Sequence, residues 1–163
     1  MRQSDPTLLS VADTAQMRRL GQALGRALMA LPEGPLVVFL RGELGAGKTT
    51  LVSGIVSGAG VTGLVRSPTY TLIEPYETSS KRIFHLDLYR LVDPQEVEPL
   101  GLRDLLTRDT VLLIEWPERG GDSIAPADLE IVIEYCDGGE GRELIVHPRS
   151  RAGQTLVAGL RLS

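Results

Sequence analysis

The chain has 163 residues, of which 42% are hydrophobic and 23% charged, and it carries a formal net charge of −4 at pH 7. This length and apolar content suit a sizeable core, so we expect a single domain over residues 1–163. The mild acidity argues against a nucleic-acid-binding face built into this chain, because such proteins usually carry clustered Lys and Arg.

The first residues lack the apolar stretch of a signal peptide, and no apolar run approaches the length of a membrane span. We therefore expect a cytoplasmic protein without membrane contact. The single cysteine, Cys136, excludes an internal disulfide and a multi-cysteine metal site.

A helix, a strand and a second helix are predicted at the start of the chain. Asp13 or Thr14 caps the first helix, whose apolar residues recur at i, i+3 and i+4. Residues 36–40 form an uninterrupted apolar run of strand length. The second helix follows residues 42–49 and is predicted to end near residues 58–60, where two glycines stand.

Residues 42–49 match the phosphate-binding pattern G-x-x-x-x-G-K-S/T in full. A loop between a buried strand and a helix directs several backbone N–H groups at one point, where they bind the β- and γ-phosphates of a nucleotide. Lys48 would neutralise the phosphate oxygens, and the Thr49 hydroxyl is placed to ligate Mg²⁺. The pattern therefore predicts a site for a nucleoside triphosphate and Mg²⁺.

Two β-hairpins are predicted further along the chain. The first pairs residues 69–77 with residues 82–88 across a Ser-Ser-Lys turn. The second pairs residues 129–135 with residues 143–147 across a glycine-rich turn. Both hairpins would add antiparallel pairs to the sheet.

The remaining segments complete an α/β pattern. Residues 94–106 predict one or two short helices broken around residues 99–101, and residues 152–160 predict a short closing helix. Residues 111–114 are an apolar run typical of a strand buried on both faces. We therefore expect a three-layer α/β domain of the P-loop NTPase type, with a mixed, mostly parallel sheet flanked by helices.

Two acidic residues stand at the ends of predicted strands, Asp87 and Glu115. A triphosphate site needs such a carboxylate, which reaches Mg²⁺ directly or through water. One acid would serve the metal, and the other would orient or deprotonate the attacking water. The sequence leaves this assignment open, and the alternative interpretation of either acid is simply a strand that reaches solvent at that residue.

Three further features have both a functional and a structural interpretation. Residues 67–71, Ser-Pro-Thr-Tyr-Thr, follow the second helix, where P-loop proteins often sense the γ-phosphate, but they also suit a plain turn. His85 is more often a structural than a catalytic residue in such a strand. Trp116 would pack against the nucleotide, against a partner or onto the core.

Four segments occur in a distinctive order: GELGAGKTT at 42–50, SPTYTL at 67–72, HLDLYRL at 85–91 and EWPE at 115–118. This series resembles the TsaE (YjeE) family, the small bacterial ATPases of the pathway that makes threonylcarbamoyladenosine at position 37 of tRNA. The resemblance runs from about residue 14 to residue 142, and four motifs make it far more specific than the phosphate loop alone.

The resemblance implies a cytoplasmic ATPase that hydrolyses ATP slowly alone and works with TsaD, which transfers the carbamoyl group, and TsaB. Contact with tRNA would be made mainly by these companions. The resemblance implies that Lys48, Asp87 and Glu115 are catalytic and that Thr49 and Glu115 bind Mg²⁺. It also implies ATP contacts from the loop and the helix start after it, namely Gly45, Ala46, Gly47, Lys48, Thr49 and Thr50. Four residues elsewhere in the chain would contact ATP as well: Thr14, Asp87, Glu118 and Arg142.

Two other functions fit the phosphate loop. A small-molecule kinase has a similar size, and the arginines between Arg90 and Arg108 would serve as its lid. A GTP-driven switch normally selects guanine with an N-K-x-D loop, and this chain contains no asparagine. The isolated site also lacks an obvious arginine finger, so we expect a partner to supply or order one.

Overall fold

The computed structural model describes residues 4–65, 68 and 70–160. The strands of this part are β1 Thr7–Val11, β2 Leu36–Arg41, β3 Ile73–Glu77, β4 Arg82–Asp87, β5 Thr110–Glu115, β6 Leu129–Tyr135 and β7 Arg142–Pro148. The α-helices are α1 Thr14–Met29, α2 Lys48–Gly58, α3 Leu102–Leu105 and α4 Arg151–Leu160. Short 3₁₀ helices cover Pro94–Leu100, Pro117–Arg119 and Gly121–Ser123. None of the helices described is long and apolar enough to cross a membrane.

The strands form one seven-stranded sheet in the order β1-β7-β6-β2-β5-β4-β3. The central strands are parallel, since β2 pairs with β5 and β6, and β4 pairs with β5. The outer pairs β1–β7, β6–β7 and β3–β4 are antiparallel. The prediction of a mixed sheet is confirmed, but the prediction of a mostly parallel one is wrong, because parallel and antiparallel pairs are equal in number among the described strands.

Strand β1 explains part of that error. Its sequence gave no clear strand signal, because it is short and Leu8 faces solvent with 62% of its surface exposed. Its pairing partner is β7, with Leu8 opposite Ile145, so the strand forms only when the far end of the chain has folded. Both predicted hairpins are confirmed, and each adds one more antiparallel pair.

The local elements follow the sequence closely. Asp13 caps α1 by accepting a hydrogen bond from the Gln16 backbone N–H at 2.8 Å, as expected of an aspartate at that position. The helical segment after residue 93 is broken at Gly101, which adopts φ 63°. The closing helix is confirmed as α4.

The sheet separates two apolar cores, which makes the domain three-layered. One face carries Val38, Leu40 and Leu113 against α1, α2 and α4. The other face carries Phe39 and Ile114 beneath the short helical segments after β4. Because alternate residues of a strand face opposite sides, every second residue of β4 and β5 points toward α2. This alternation decides which polar side chains can reach the loop after β2.

Helices α1 and α2 cross at unusually short range through glycine. A Cβ on Gly25 of α1 would lie 2.1 Å from the Ile55 backbone oxygen of α2, and one on Gly21 would lie 2.5 Å from the Leu51 oxygen. Gly54 on α2 is equally close to the Arg18 oxygen, at 2.3 Å. The glycines therefore fix the position of α2, whose first turn belongs to the candidate site.

We predict that Gly25→Ala lowers the free energy of unfolding by about 2 kcal/mol. Alanine favours a helix by about 1 kcal/mol over glycine, but forcing apart a tight backbone contact typically costs about 1–3 kcal/mol and sometimes more, so crowding dominates. Urea denaturation followed by circular dichroism would measure the difference. The adjacent exposed residue supplies the control, because Arg26→Ala should change stability by no more than about 0.5 kcal/mol. An alanine variant at Gly25 as stable as the parent would contradict the close crossing.

Candidate functional site

The glycine-rich loop lies between the end of β2 and the start of α2, as predicted. Gly45 and Gly47 have φ angles of 78° and 115°, which side chains with a Cβ rarely adopt. No side chain caps the first turn of α2, whose N-cap is Gly47. The first-turn N–H groups and the positive end of the helix dipole are therefore available to an anion.

Backbone carbonyl oxygens of the loop hold the Lys48 side chain in place. Its Nζ donates hydrogen bonds to the Gly42 oxygen at 2.6 Å and to the Glu43 oxygen at 2.9 Å. The same Nζ lies 4.4 Å from the centre of the Trp116 ring, a cation–π contact. Only 5% of the Lys48 surface is exposed, so the ammonium is fixed where phosphate oxygens would meet the loop.

Burial lowers the pKa of Lys48, because a low-polarity environment disfavours the ammonium. The carboxylates of Glu115, Asp87 and Glu118 act in the opposite direction and favour its charged form. Several acidic groups thus surround Lys48, the buried cation of the loop. A bound polyanion would alter the balance between burial and these carboxylates that sets the pKa of Lys48.

Thr49 and Glu115 meet at the floor of the site. The Thr49 hydroxyl lies 3.1 Å from Oε1 and 3.2 Å from Oε2 of Glu115, and it donates to this carboxylate. Only 2% of the Glu115 surface is exposed. The contact joins the first turn of α2 to the end of β5, and the paired oxygens are the hard ligands that Mg²⁺ prefers.

Asp87 stands beside this pair. In the parallel pairing of β4 and β5, Asp87 is directly opposite Glu115, which places both carboxylates at the same edge of the sheet. Its Oδ1 accepts a hydrogen bond from the Tyr89 backbone N–H at 3.0 Å. The structure therefore brings the two strand-end acids predicted from sequence to one place.

The sequence analysis did not predict a contact between His85 and the acids of the site. It is fully buried, and its Nε2 lies 2.6 Å from Oε2 of Glu115. The alternation of strand β4 was the available signal, because His85 precedes Asp87 by two residues and so shares its face.

Two cavities meet at the loop. The larger, of about 420 Å³, is lined by predicted site residues together with Trp116 and Arg90; those residues are Gly45, Gly47, Lys48, Thr49, Thr50, Asp87 and Glu115. The smaller, of about 160 Å³, is lined by Thr14, Ala46 and Arg142, and it shares Gly45, Gly47 and Thr50 with the first. All but one of the predicted site residues therefore line one or both of these adjoining cavities.

Arg142 braces the loop from the side of the β6–β7 hairpin. Its Nε donates to the Ala46 oxygen at 3.1 Å, and its guanidinium lies 4.0 Å from the centre of the Tyr135 ring. Tyr135 in turn donates its hydroxyl to the Leu44 oxygen at 2.9 Å. This bracing by Tyr135 was not predicted, because nothing in the sequence indicates which ring faces the loop.

Glu118 is the exception. It lines neither of the two cavities and forms an ion pair with Arg41, with 3.1 Å between Nη1 and Oε2. It lines instead a third cavity on another side of the loop, beside Gly42 and Trp116, and its carboxylate favours the charged form of Lys48. A nucleotide contact from Glu118 stays a prediction.

The predicted hydroxyl-rich loop falls partly outside the described residues, which exclude Ser67 and Thr69. Within the described part, 87% of the Tyr70 surface is exposed, and the Arg90 guanidinium lies 4.9 Å from the centre of its ring. Leu72 adopts φ 64° and accepts a hydrogen bond from the Asp87 N–H at 3.1 Å. This strained residue links the loop to an acid of the site.

Comparison with known proteins identifies relatives along most of the chain. The family model described as "Threonylcarbamoyl adenosine biosynthesis protein TsaE" matches residues 11–144. The tRNA threonylcarbamoyladenosine biosynthesis protein TsaE of Haemophilus influenzae is 42% identical over 149 residues, which cover 91% of this chain and 93% of that protein. The protein of the same name from Bacillus subtilis is 36% identical over 123 residues, or 76% of each chain.

The fold also has a solved counterpart. The crystal structure of YdiB from Bacillus subtilis superposes with a TM-score of 0.80, covering 99% of this chain and 98% of that one, at 23% sequence identity. At this identity the likeness concerns the fold alone. The sequence relatives match most of the chain and the solved structure matches its fold, so the likeness extends well beyond the loop.

Proposed function

The chain belongs to the TsaE family of threonylcarbamoyl adenosine biosynthesis proteins, and from that premise we propose that it is a P-loop ATPase required for forming the threonylcarbamoyl group on adenosine 37 of tRNA. It acts in the cytoplasm as a single domain of the P-loop NTPase class. It uses ATP and Mg²⁺, and hydrolysis drives or resets the modification cycle that it shares with TsaD and TsaB. These companions, rather than this acidic chain, make the main contacts with tRNA.

The contact between the Thr49 hydroxyl and the Glu115 carboxylate is the observation that carries this proposal. In P-loop NTPases a loop Ser or Thr and an acid at the end of a neighbouring strand hold Mg²⁺ together, with the remaining ligands from phosphates and water. Here the Thr49 hydroxyl oxygen already lies within 3.2 Å of both carboxylate oxygens of Glu115, so the oxygen ligands present fit the ion.

The two cavities support a placement for the rest of the nucleotide. The phosphates would lie against the first turn of α2, where Gly45 and residues 47–50 line the larger cavity. The adenine would extend past the loop toward Thr14 and Arg142 in the smaller cavity. Arg142 already contacts the Ala46 backbone, so it would fix the loop and the base together.

Each charged group then has a separate task. Bound Mg²⁺ supplies charge neutralisation for the phosphates. Lys48 stabilises the charge that grows on the β- and γ-phosphate oxygens, and Glu115 with Thr49 holds the metal end of the site. Asp87, at the wall of the same cavity, orients or deprotonates the attacking water.

The isolated chain should be a slow ATPase. Among the described residues, the cationic side chains that line the larger cavity are Lys48 and Arg90. The Arg90 guanidinium stacks on Tyr70 at 4.9 Å and is not directed at the loop by any hydrogen bond found in the described part. A partner that supplies an arginine, or that turns Arg90 inward, would complete the site.

We predict that TsaD and TsaB together raise the rate of ATP hydrolysis by this chain at least about tenfold, since an added arginine is worth far more than that in related enzymes. Phosphate release at saturating Mg²⁺–ATP, measured with the chain alone and with both companions, tests the prediction. The same mixture containing the Lys48→Ala variant controls for hydrolysis by the companions themselves. A rate that the companions leave unchanged would contradict the proposed partnership.

The positions of the arginines that a kinase lid would use weaken the kinase alternative. Arg90 borders the larger cavity. Arg108 instead forms a 3.6 Å ion pair with Glu33, which precedes β2, whereas the phosphate loop follows that strand. The positions of these two side chains therefore do not support a kinase lid that uses arginines from the whole of residues 90–108. Following the γ-phosphate of labelled ATP decides the matter, because transfer to a metabolite instead of water would make the chain a kinase.

A further inference from the structure

His85 contacts Glu115 from beneath the site. It lies in the interior of β4, has none of its surface exposed, and places Nε2 2.6 Å from Oε2 of Glu115. The second ring nitrogen, Nδ1, is buried without a hydrogen-bond partner among the described residues. His85 therefore directs its one polar contact at the acid of the proposed metal pair.

The direction of this hydrogen bond follows from the role proposed for Glu115, because a carboxylate that binds Mg²⁺ is ionised. An ionised carboxylate can only accept, so Nε2 carries the proton and donates it to Oε2 of Glu115. Buried polar atoms without partners are rare and unfavourable, which makes the bare Nδ1 a cost to the fold. An apolar side chain in this position would avoid that cost, so the contact with Glu115 is what the imidazole contributes here.

Thr49 does not orient the Glu115 carboxylate by itself. Its hydroxyl is nearly equidistant from the two carboxylate oxygens, at 3.1 and 3.2 Å, and so does not distinguish them. His85 does distinguish them, because it binds Oε2 at 2.6 Å. Oε1 is then left with the Thr49 hydroxyl as its hydrogen-bond partner in the described part of the chain.

We propose that His85 is a positioning residue that fixes the rotation of the Glu115 carboxylate and so presents Oε1, beside the Thr49 hydroxyl, to Mg²⁺. This inference rests on the proposed function, since it requires a Mg²⁺–nucleotide site. Groups that hold a metal ligand in place typically change metal affinity about 10- to 100-fold when they are removed. His85 has no contact with the nucleotide cavities, so nucleotide binding without the metal should not depend on it.

The test measures ADP binding over a range of Mg²⁺ concentrations and again in EDTA, using the fluorescence of Trp116, the chain's single tryptophan, which lines the larger cavity. For His85→Leu we expect the Mg²⁺ concentration of half-maximal effect to rise about 10- to 100-fold, with affinity in EDTA unchanged. His85→Gln should keep most of the parental Mg²⁺ affinity, because the glutamine amide can donate a hydrogen bond near the position of Nε2. His147→Gln, at the chain's other histidine on β7, should match the parent.

Different failures lead to different conclusions. Mg²⁺ dependence unchanged in His85→Leu would overturn the positioning role. Equal loss in the Leu and Gln variants, with weaker binding in EDTA and a lower unfolding temperature, would also overturn it and make His85 a purely structural residue. A parent protein whose ADP binding does not respond to Mg²⁺ at all would instead refute the proposed function on which the inference rests.

Discussion

Replacing Lys48 with alanine is expected to reduce ATP hydrolysis by about 100- to 1,000-fold and to weaken ATP binding about tenfold or more. Removing one preorganised group that stabilises transition-state charge typically costs about 10²–10³ in turnover, and Lys48 also binds the ground state, so both parameters should fall. Because the ammonium is buried and fixed by the Gly42 and Glu43 oxygens, no neighbouring cation can replace it without moving the loop.

The experiment combines phosphate release with equilibrium binding of ATP, and the chain offers a matched control. Lys81 is the other lysine and is also buried, with 7% of its surface exposed, but it precedes β4 at the end of the sheet away from the loop. Lys81→Ala should therefore hydrolyse ATP at the parental rate. Parental turnover in the Lys48→Ala variant would show that the loop is not the site of hydrolysis.

Replacing Glu115 with glutamine is expected to lower hydrolysis about 100- to 1,000-fold while leaving ATP bound. Glutamine keeps the size of the side chain and can still accept from the Thr49 hydroxyl and His85, so the buried floor of the site should stay folded. It removes the negative charge of the proposed ligand, and the Mg²⁺ requirement should therefore increase at least about 10- to 100-fold, the loss typical when only a group supporting the ligand is removed.

Asp87→Asn gives the comparison that separates the two acids. If Asp87 serves the water, turnover at saturating Mg²⁺ should fall while the Mg²⁺ requirement stays at the parental value. Hydrolysis and binding titrated with Mg²⁺ in both variants would measure this. The reverse pattern, with the metal requirement altered in Asp87→Asn alone, would transfer the metal role to Asp87 and refute the assignment to Glu115.

The sequence by itself determined the features that depend on neighbouring residues. A contiguous motif with an apolar strand before it and an apolar helix after it specifies the phosphate loop, because backbone amides in that arrangement converge without help from the rest of the chain. Helix α1, with its cap predicted at Asp13 or Thr14, and both hairpins likewise follow from local periodicity and turn chemistry. Of these features, the loop with its flanking strand and helix carried the prediction of a triphosphate site.

Only the tertiary structure decided how the separate parts of the site meet. Thr49 and Glu115 are 66 residues apart, and Arg142 and Ala46 are 96 apart, so their contacts depend on strand order and register. The antiparallel edges and strand β1 depend on the same long-range pairing. Local patterns state what each segment prefers, whereas register across a sheet is chosen by the packing of all its strands together. That register, and not any motif, places His85 and Asp87 on the face of Glu115.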